Sequence, residues 1–296
     1  MRVGVIDIGS NTVRLLVAGR SDDGQLLAVT EERSRLGLGE EIERYGRIRR
    51  AKLSETADRA RGYARVARAS GATVIEAVVT APGRQSANAG DLVDALRTAT
   101  GVPVRVLTAD EEGRLAHRGA AAGRAEGVRV AVCDVGGGST ELAVGPPGER
   151  PDWLRSYDIG SLRLTRRAFG DGRPTRSTVR AARRIVRDEL SDTPPLPTVE
   201  AALAAGGTAR AVRRIVGDSL GREQLDAAVE LTAVLSPEEL RQRYGIEPAR
   251  GRTLTAGTII LAELVRLVGV PFEVARGGLR EGLAADLLEE LLQPAA

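Results

Sequence analysis

The sequence predicts an α/β protein made of two related domains, and three observations carry that prediction. Val3-Gly-Val-Ile-Asp-Ile-Gly-Ser-Asn-Thr12 and Val130-Ala-Val-Cys-Asp-Val-Gly-Gly-Gly-Ser139 align without a gap, and the match runs on to Val17 and Val144. Strand-length apolar runs alternate with helically spaced segments on both sides of the Gly/Ala stretch 119–127. The chain has 296 residues, 42% hydrophobic and 28% charged, which is the composition of a folded globular protein with room for two domains.

In the first half, residues 3–7, 12–18 and 26–33 read as strands, the first two joined through a tight turn at Gly9-Ser10. Residues 36–50 are rich in Gly, Arg and Glu and read as an exposed connection. Helical spacing predicts helices over 52–69, 86–99 and 109–121; 73–79 reads as a buried strand and 103–107 as another opened by Pro103. The second half repeats the order, with strands near 128–134, 140–145 and 153–158, helices near 160–169 and 176–190, and a Pro-rich break at 193–197. A strand over 199–205 runs into Gly206-Gly207-Thr208, which opens a helix. Residues 224–292 are mainly helical, with a short strand near 272–275. The expected domains are 1–122 and 123–296, with the last helix a candidate to fold back on the first domain.

No apolar run approaches a membrane span and no secretory signal precedes Asp7, so the expected location is the cytoplasm, away from membranes. Cys133 is the only cysteine, which rules out an intrachain disulfide. Aromatics are 2% of residues, too few for base stacking, and nucleic acid is not an expected partner. The net charge is +3, and Lys52 is the only lysine, so the positive charge is nearly all arginine. A GC-rich genome accounts for that bias; arginine is also the side chain that grips phosphate with two parallel hydrogen bonds.

The repeated segment is where chemistry is expected. A short strand, an Asp, a Gly/Ser turn and a second strand form a hairpin whose backbone N–H groups can approach an anion, while the Asp can hold a divalent cation. Asp7 and Asp134 occupy the same place in the two copies; a turn-forming Asp is the structural alternative. Gly136, Gly137, Gly138, Ser139 and Thr140 form one turn, and Gly9, Ser10 and Asn11 the matching one. Glu141 follows the second turn, either reaching the cation or facing outward from its strand. Gly207 and Thr208 lie where a helix N-terminus attracts anions, although any strand-to-helix turn uses such residues.

Two neighbouring glutamates need separate accounts. Thr108 and Glu111 fit a capping box, which gives Glu111 a structural role. Glu112 has no such role; it is either a solvated helix residue or a general base. Arg84, after the strand 73–79, is a surface arginine or a phosphate ligand, since α/β folds bind ligands beyond strand C-termini. Arg176, Arg180, Arg183, Arg184 and Arg187 form the basic face of an amphipathic helix, solvated or able to extend a polyanion channel. His117 and Cys133 are each alone of their kind and read as packing residues, so a His/Cys zinc site and a covalent phospho-enzyme are not expected.

Taken together, these segments resemble the exopolyphosphatase / guanosine pentaphosphate phosphohydrolase (Ppx/GppA) family of the sugar kinase–Hsp70–actin superfamily. Ile6-Asp-Ile-Gly-Ser-Asn-Thr-Val-Arg-Leu-Leu16 is similar to the family's first phosphate motif and Asp134-Val-Gly-Gly-Gly-Ser-Thr-Glu141 to its second. Arg84-Gln-Ser-Ala-Asn88 resembles the Arg…Asn segment, and Glu111-Glu-Gly-Arg-Leu115 the motif that holds the catalytic glutamate, which falls on Glu112. Ala205–Thr208, Arg252–Leu261 and Gly278–Gly282 also look familial. Ala81-Pro-Gly83 and Gly113 depart from the usual pattern.

The resemblance implies duplicated actin-like (ribonuclease H-like) domains with the active site in an interdomain cleft. It implies Mg²⁺-dependent removal of terminal phosphate from inorganic polyphosphate, with Glu112 as base. Asp134, Glu141 and Asp7 are the expected Mg²⁺ ligands, and the two turns with Arg84, Gly207 and Thr208 the expected phosphate cradle. Longer relatives carry an extra C-terminal helical region with no counterpart in this sequence, so short chains are the expected substrate. Guanosine pentaphosphate is the alternative substrate, a non-catalytic polyphosphate or alarmone sensor the alternative class, and a homodimer the expected assembly.

Overall fold

The computed structural model describes residues 1–125 and 127–292. The chain forms two compact units, Met1–Leu115 with the C-terminal segment from Leu279, and Ala116–Gly278. The second unit therefore starts inside a helix, upstream of the 122/123 boundary read from the Gly/Ala stretch, because that helix runs unbroken to Ala121.

The first unit opens with the meander β1 (Arg2–Ile8), β2 (Thr12–Arg20) and β3 (Leu26–Arg35). The helices α1 (Leu38–Tyr45) and α2 (Arg50–Ala69) lead to β4 (Val74–Val79). Next come α3 (Ala81–Gln85), α4 (Ala89–Thr100), β5 (Val104–Val106) and α5 (Ala109–Ala121). The sheet order is β3-β2-β1-β4-β5, antiparallel within the meander and parallel from β1 through β4 to β5. β1 reads as an almost unbroken apolar run because both its faces are covered. On one face Ile6, Ile8 and Leu15 pack with Ala60, Tyr63 and Leu92 of α2 and α4. On the other, Val3, Val5 and Leu16 pack with Leu283, Ala284 and Leu287 of the C-terminal helix. β3 is an edge strand, exposed, charged and interrupted by a register shift opposite Val17/Ala18; these features suppress pairing with another sheet.

The second unit repeats the meander as β6 (Val130–Val135), β7 (Thr140–Gly145) and β8 (Trp153–Tyr157). It continues through α6 (Ser161–Phe169), α7 (Arg176–Leu190), β9 (Ala201–Ala205), α8 (Gly206–Val216) and β10 (Ser219–Leu220). The helices α9 (Arg222–Val234), α10 (Pro237–Tyr244) and α11 (Pro248–Val268) precede β11 (Phe272–Val274), and α12 (Leu279–Glu290) returns to the first unit. The sheet order β8-β7-β6-β9-β11 repeats that of the first unit, with β10 added at the edge. α11 is buried on nearly every side, which is why its sequence lacks a polar face.

Residues 36–50 differ from the exposed connection expected. They contain α1, and Leu38, Ile42 and Ile48 enter the core. The helix is short and bounded by Gly37 and Gly46, both at positive φ, so its ends read as turns in the sequence. Among the described residues no helix is long and apolar enough to cross a membrane.

Candidate active site

The two hairpins share one geometry. Gly9 donates its N–H to the Thr12 carbonyl at 3.0 Å, and the aligned Gly136 donates to the Ser139 carbonyl at 3.0 Å. The helix after the third strand braces each turn. In the first unit, Gly39 donates to the Ser10 carbonyl (2.7 Å), and Leu36 and Gly37 donate to that of Asn11 (3.1 and 3.2 Å). In the second, Ser161 donates to the Gly136 carbonyl through both its N–H (2.9 Å) and Oγ (3.0 Å). Leu162 and Arg163 donate to the Gly137 carbonyl at 3.0 and 3.1 Å. In a trans peptide the N–H points opposite to the C=O. Anchoring these carbonyls therefore turns the N–H groups of Asn11 and Thr12, and of Gly137 and Gly138, away from the bracing helix. The contact is so close that a Cβ on Gly160 would overlap the Gly137 carbonyl.

Asp134 and Glu141 are direct cross-strand partners, so both carboxylates stand on one face of the β6–β7 pair. Glu141 is 2% exposed and accepts a hydrogen bond from Ser156 Oγ at 3.0 Å. Asp134 lies at the N-terminus of α8, where the helix dipole favours an anion. Gly206 has φ +83°, and a Cβ there would lie well inside contact distance of Asp134 Oδ1. In the first unit the equivalent pair is Asp7 and Arg14.

Arg84 and Glu112, 28 residues apart in sequence, meet in the first unit: Arg84 Nη1 lies 2.8 Å from Glu112 Oε2 and donates to the Leu107 carbonyl at 2.8 Å. Glu112 is 9% exposed, on the first turn of α5, and its N–H bonds to the Thr108 carbonyl. Gly83, a departure from the family pattern, fits here because a Cβ would strike Val106. Asn88 does not reach this pair; its side chain clamps the backbone N–H and C=O of Ile48, both at 2.9 Å.

Glu111 is the capping residue. It accepts from the Thr108 N–H (2.8 Å), and Thr108 Oγ1 accepts from the Glu111 N–H (3.2 Å). Partial burial raises its pKa, but Thr108 and the Arg105 guanidinium outweigh this and hold the carboxyl below its usual range. Two of the expected phosphate-binding hydroxyls are directed into the fold. Thr140, fully buried, donates to the Ile159 carbonyl at 2.5 Å, and Thr208 donates to that of Val135 at 3.2 Å. Ser10 and Ser139 are also mostly buried, at 6% and 4% exposure, while Gly207 at the start of α8 is half-buried.

Two arginines of the basic α7 face are committed to structure. Arg183 and Arg187, with Arg266, surround the buried Glu263 at 2.8–2.9 Å. His117 is buried with Nε2 within reach of the Val130 and Gly145 carbonyls, and desolvation pushes its pKa down. Cys133 is buried, and desolvation pushes its thiol pKa far up. Sequence reasoning missed α1, the Gly160-Ser161 brace and Arg14.

Among the described residues no three His, Cys, Asp or Glu side chains gather into a metal cage. The pair Asp134 and Glu141 suits Mg²⁺. That ion keeps several waters and is usually held by one or two carboxylates and substrate phosphates.

A sheet order used twice, each copy opening on an Asp hairpin whose turn carbonyls are braced by the segment after the third strand, defines a protein of two actin-like α/β units. The model of the Ppx/GppA phosphatase family matches residues 17–291, and the chain belongs to that family. Exopolyphosphatase 1 of Mycobacterium tuberculosis is 29% identical, over 98% of this chain and 89% of its own length. Exopolyphosphatase 2 of the same organism is 30% identical over 90% of each chain. The crystal structure of the Aquifex aeolicus Ppx/GppA family member superposes with a TM-score of 0.82 at 28% identity, covering 98% of both chains.

Proposed function

We propose that the protein is a Mg²⁺-dependent exopolyphosphatase that removes terminal phosphate from short inorganic polyphosphate. The observation that carries this reading is Glu112, a mostly buried carboxylate held 2.8 Å from Arg84. A terminal phosphate on Arg84 brings its phosphorus and an attacking water beside that carboxylate. The relatives named exopolyphosphatase support the substrate class.

Glu112 takes a proton from water as the water oxygen bonds to the terminal phosphorus. The bridging P–O bond breaks, and its electron pair leaves on the shortened chain. A phosphate-chain oxyanion is stable without protonation, so the reaction needs a base, positioning and charge neutralisation but no general acid. In the first unit the amides of the turn 9–12 and Arg84, and in the second those of the turn 136–140 and Gly207-Thr208, bind phosphate oxygens. Thr140 and Thr208 hold the loops through their side-chain hydrogen bonds. Asp134 and Glu141 would hold Mg²⁺. Mg²⁺ bound there would neutralise charge on the phosphate oxygens.

The test is phosphate release with Mg²⁺ from short-chain polyphosphate, long-chain polyphosphate and guanosine pentaphosphate, compared side by side. Fastest release from short-chain polyphosphate is the expected result. Preference for guanosine pentaphosphate would move the assignment to the alarmone, and binding without release from any of the three would favour the sensor.

A further inference from the structure

The loops that follow β1 and β4 carry the turn 9–12 and Arg84, and the α1 helix joins them. The two strands pair in parallel as far as Ile8 and Val79, and Thr80 donates to the Ile8 carbonyl at 3.1 Å. Past that point α1 spans from one loop to the other. Its N-terminal end holds the turn, with Gly39 donating to the Ser10 carbonyl at 2.7 Å. Its eight residues rise about 12 Å. The segment after its C-terminal end holds the loop of Arg84: Ala87 donates to the Gly46 carbonyl at 3.0 Å, and Asn88 takes both backbone groups of Ile48. Glu41 locks the helix to that segment, accepting from the Arg49 N–H at 3.2 Å and from its guanidinium at 2.7 and 2.8 Å. Leu38, Ile42 and Ile48 seat the whole piece on the core.

Asn88 forgoes an ordinary role to make this contact. It stands at the N-cap of α4, where an asparagine side chain usually accepts from the first turn and contributes about 1 kcal/mol, yet it makes no such bond. Its amide is used elsewhere. Oδ1 accepts from the Ile48 N–H at 2.9 Å and from the Ser86 hydroxyl at 2.8 Å. Nδ2 donates to the Ile48 carbonyl at 2.9 Å and to Asp91 at 3.2 Å. The side chain is thus fixed to the segment 46–50, four residues along the chain from Arg84.

We propose that α1 and the segment 46–50 form a strut that sets the distance between the turn 9–12 and Arg84, with Asn88 the positioning residue at its far end. The strut holds the turn and the guanidinium so that one bound phosphate chain meets both. Its role depends on the proposed phosphate role of the turn and of Arg84. Asn88 itself touches no substrate. Loosening it leaves Arg84 on Glu112, 2.8 Å away, but lets that pair drift from the turn. Affinity therefore falls before the chemical step does.

The experiment measures KM and kcat for short-chain polyphosphate in N88A, N88D, R84A and N88A/R84A, each checked for a cooperative melt. N88A loses the whole clamp. N88D keeps the acceptor for the Ile48 N–H and loses the donor, so it carries the test should N88A not fold. Both are expected to raise KM, N88A by about tenfold, with kcat within about threefold of wild type. A merely destabilised protein would show the opposite split, fewer active molecules with KM unchanged, and that result would overturn the inference. In the R84A background N88A is expected to change KM by less than about twofold, because the residue it positions is gone. Effects that multiply would overturn the inference while leaving Arg84 a phosphate ligand. Thr100→Val removes a buried hydroxyl bond at the other end of α4 and is expected to lower stability with KM unchanged. An equal rise in KM there would overturn the inference as well. If R84A itself leaves KM unchanged, the phosphate role of Arg84 fails and the strut's role with it.

Discussion

Gly206→Ala tests how tightly Asp134 is placed. Two costs are built into the position. The backbone lies at φ +83°, where an L side chain is unfavourable by about 1–2 kcal/mol. The new methyl would also press on Asp134 Oδ1, which must withdraw by about 1 Å to reach ordinary contact, a displacement of the size that costs about 100-fold in rate. Gly217, at the other end of α8, separates the two effects. Its φ is +87°, but a Cβ there meets nothing within 4 Å. Both variants are therefore expected to lose about 1–2 kcal/mol by urea unfolding, while only G206A is expected to lose phosphate release. G206A activity within about twofold of G217A would refute the claim that the carboxylate position is fixed by this contact.

Further predictions concern stability and the brace. Burial holds His117, the only histidine, below its usual pKa, so the unfolded chain binds a proton that the folded chain refuses. Stability contributed by the neutral ring is present above about pH 6.5 and is lost as pH falls toward the folded value. Melting temperature between about pH 5.5 and 7.5 should slope in wild type and flatten in His117→Gln, and parallel curves would contradict this. Glu263→Ala takes the shared partner from Arg183, Arg187 and Arg266 but leaves Arg183 and Arg266 paired with Asp226, so a loss of about 1.5–3 kcal/mol in denaturant unfolding is expected. A loss under about 1 kcal/mol would mean that the cluster is dispensable. Ser161→Ala removes the hydroxyl bond to the Gly136 carbonyl but keeps the backbone one, so a loss of about 1 kcal/mol with a raised KM is expected from melts and kinetics. An unchanged KM would take Ser161 out of loop positioning.

What could be read in the sequence was what repeats or what is local. The duplicated Asp hairpins predicted two sheets of one topology, and the structure has them. The Thr108–Glu111 capping box is local, and its four-residue spacing separates Glu111 from Glu112 in the sequence itself. Contacts between distant segments were not legible. Nothing in the spacing of Arg84 and Glu112 says that β4 and β5 bring them together. The direction of the Thr140 and Thr208 hydroxyls depends on carbonyls at Ile159 and Val135, so their polarity suggested ligands where the fold uses them as struts. The α1 helix escaped because two turn glycines and a charged sequence hid its two buried apolar residues, Leu38 and Ile42.

The central claim is that Glu112 activates water on a bound polyphosphate. Its most direct test measures single-turnover phosphate release and equilibrium binding of short-chain polyphosphate by Glu112→Gln in parallel with wild type. Binding within a few-fold of wild type is expected, with release slowed by about 100-fold or more, the contribution of a positioned base. Release at the wild-type rate would contradict it, and so would loss of binding in step with loss of release, because Glu112 would then serve only to hold Arg84.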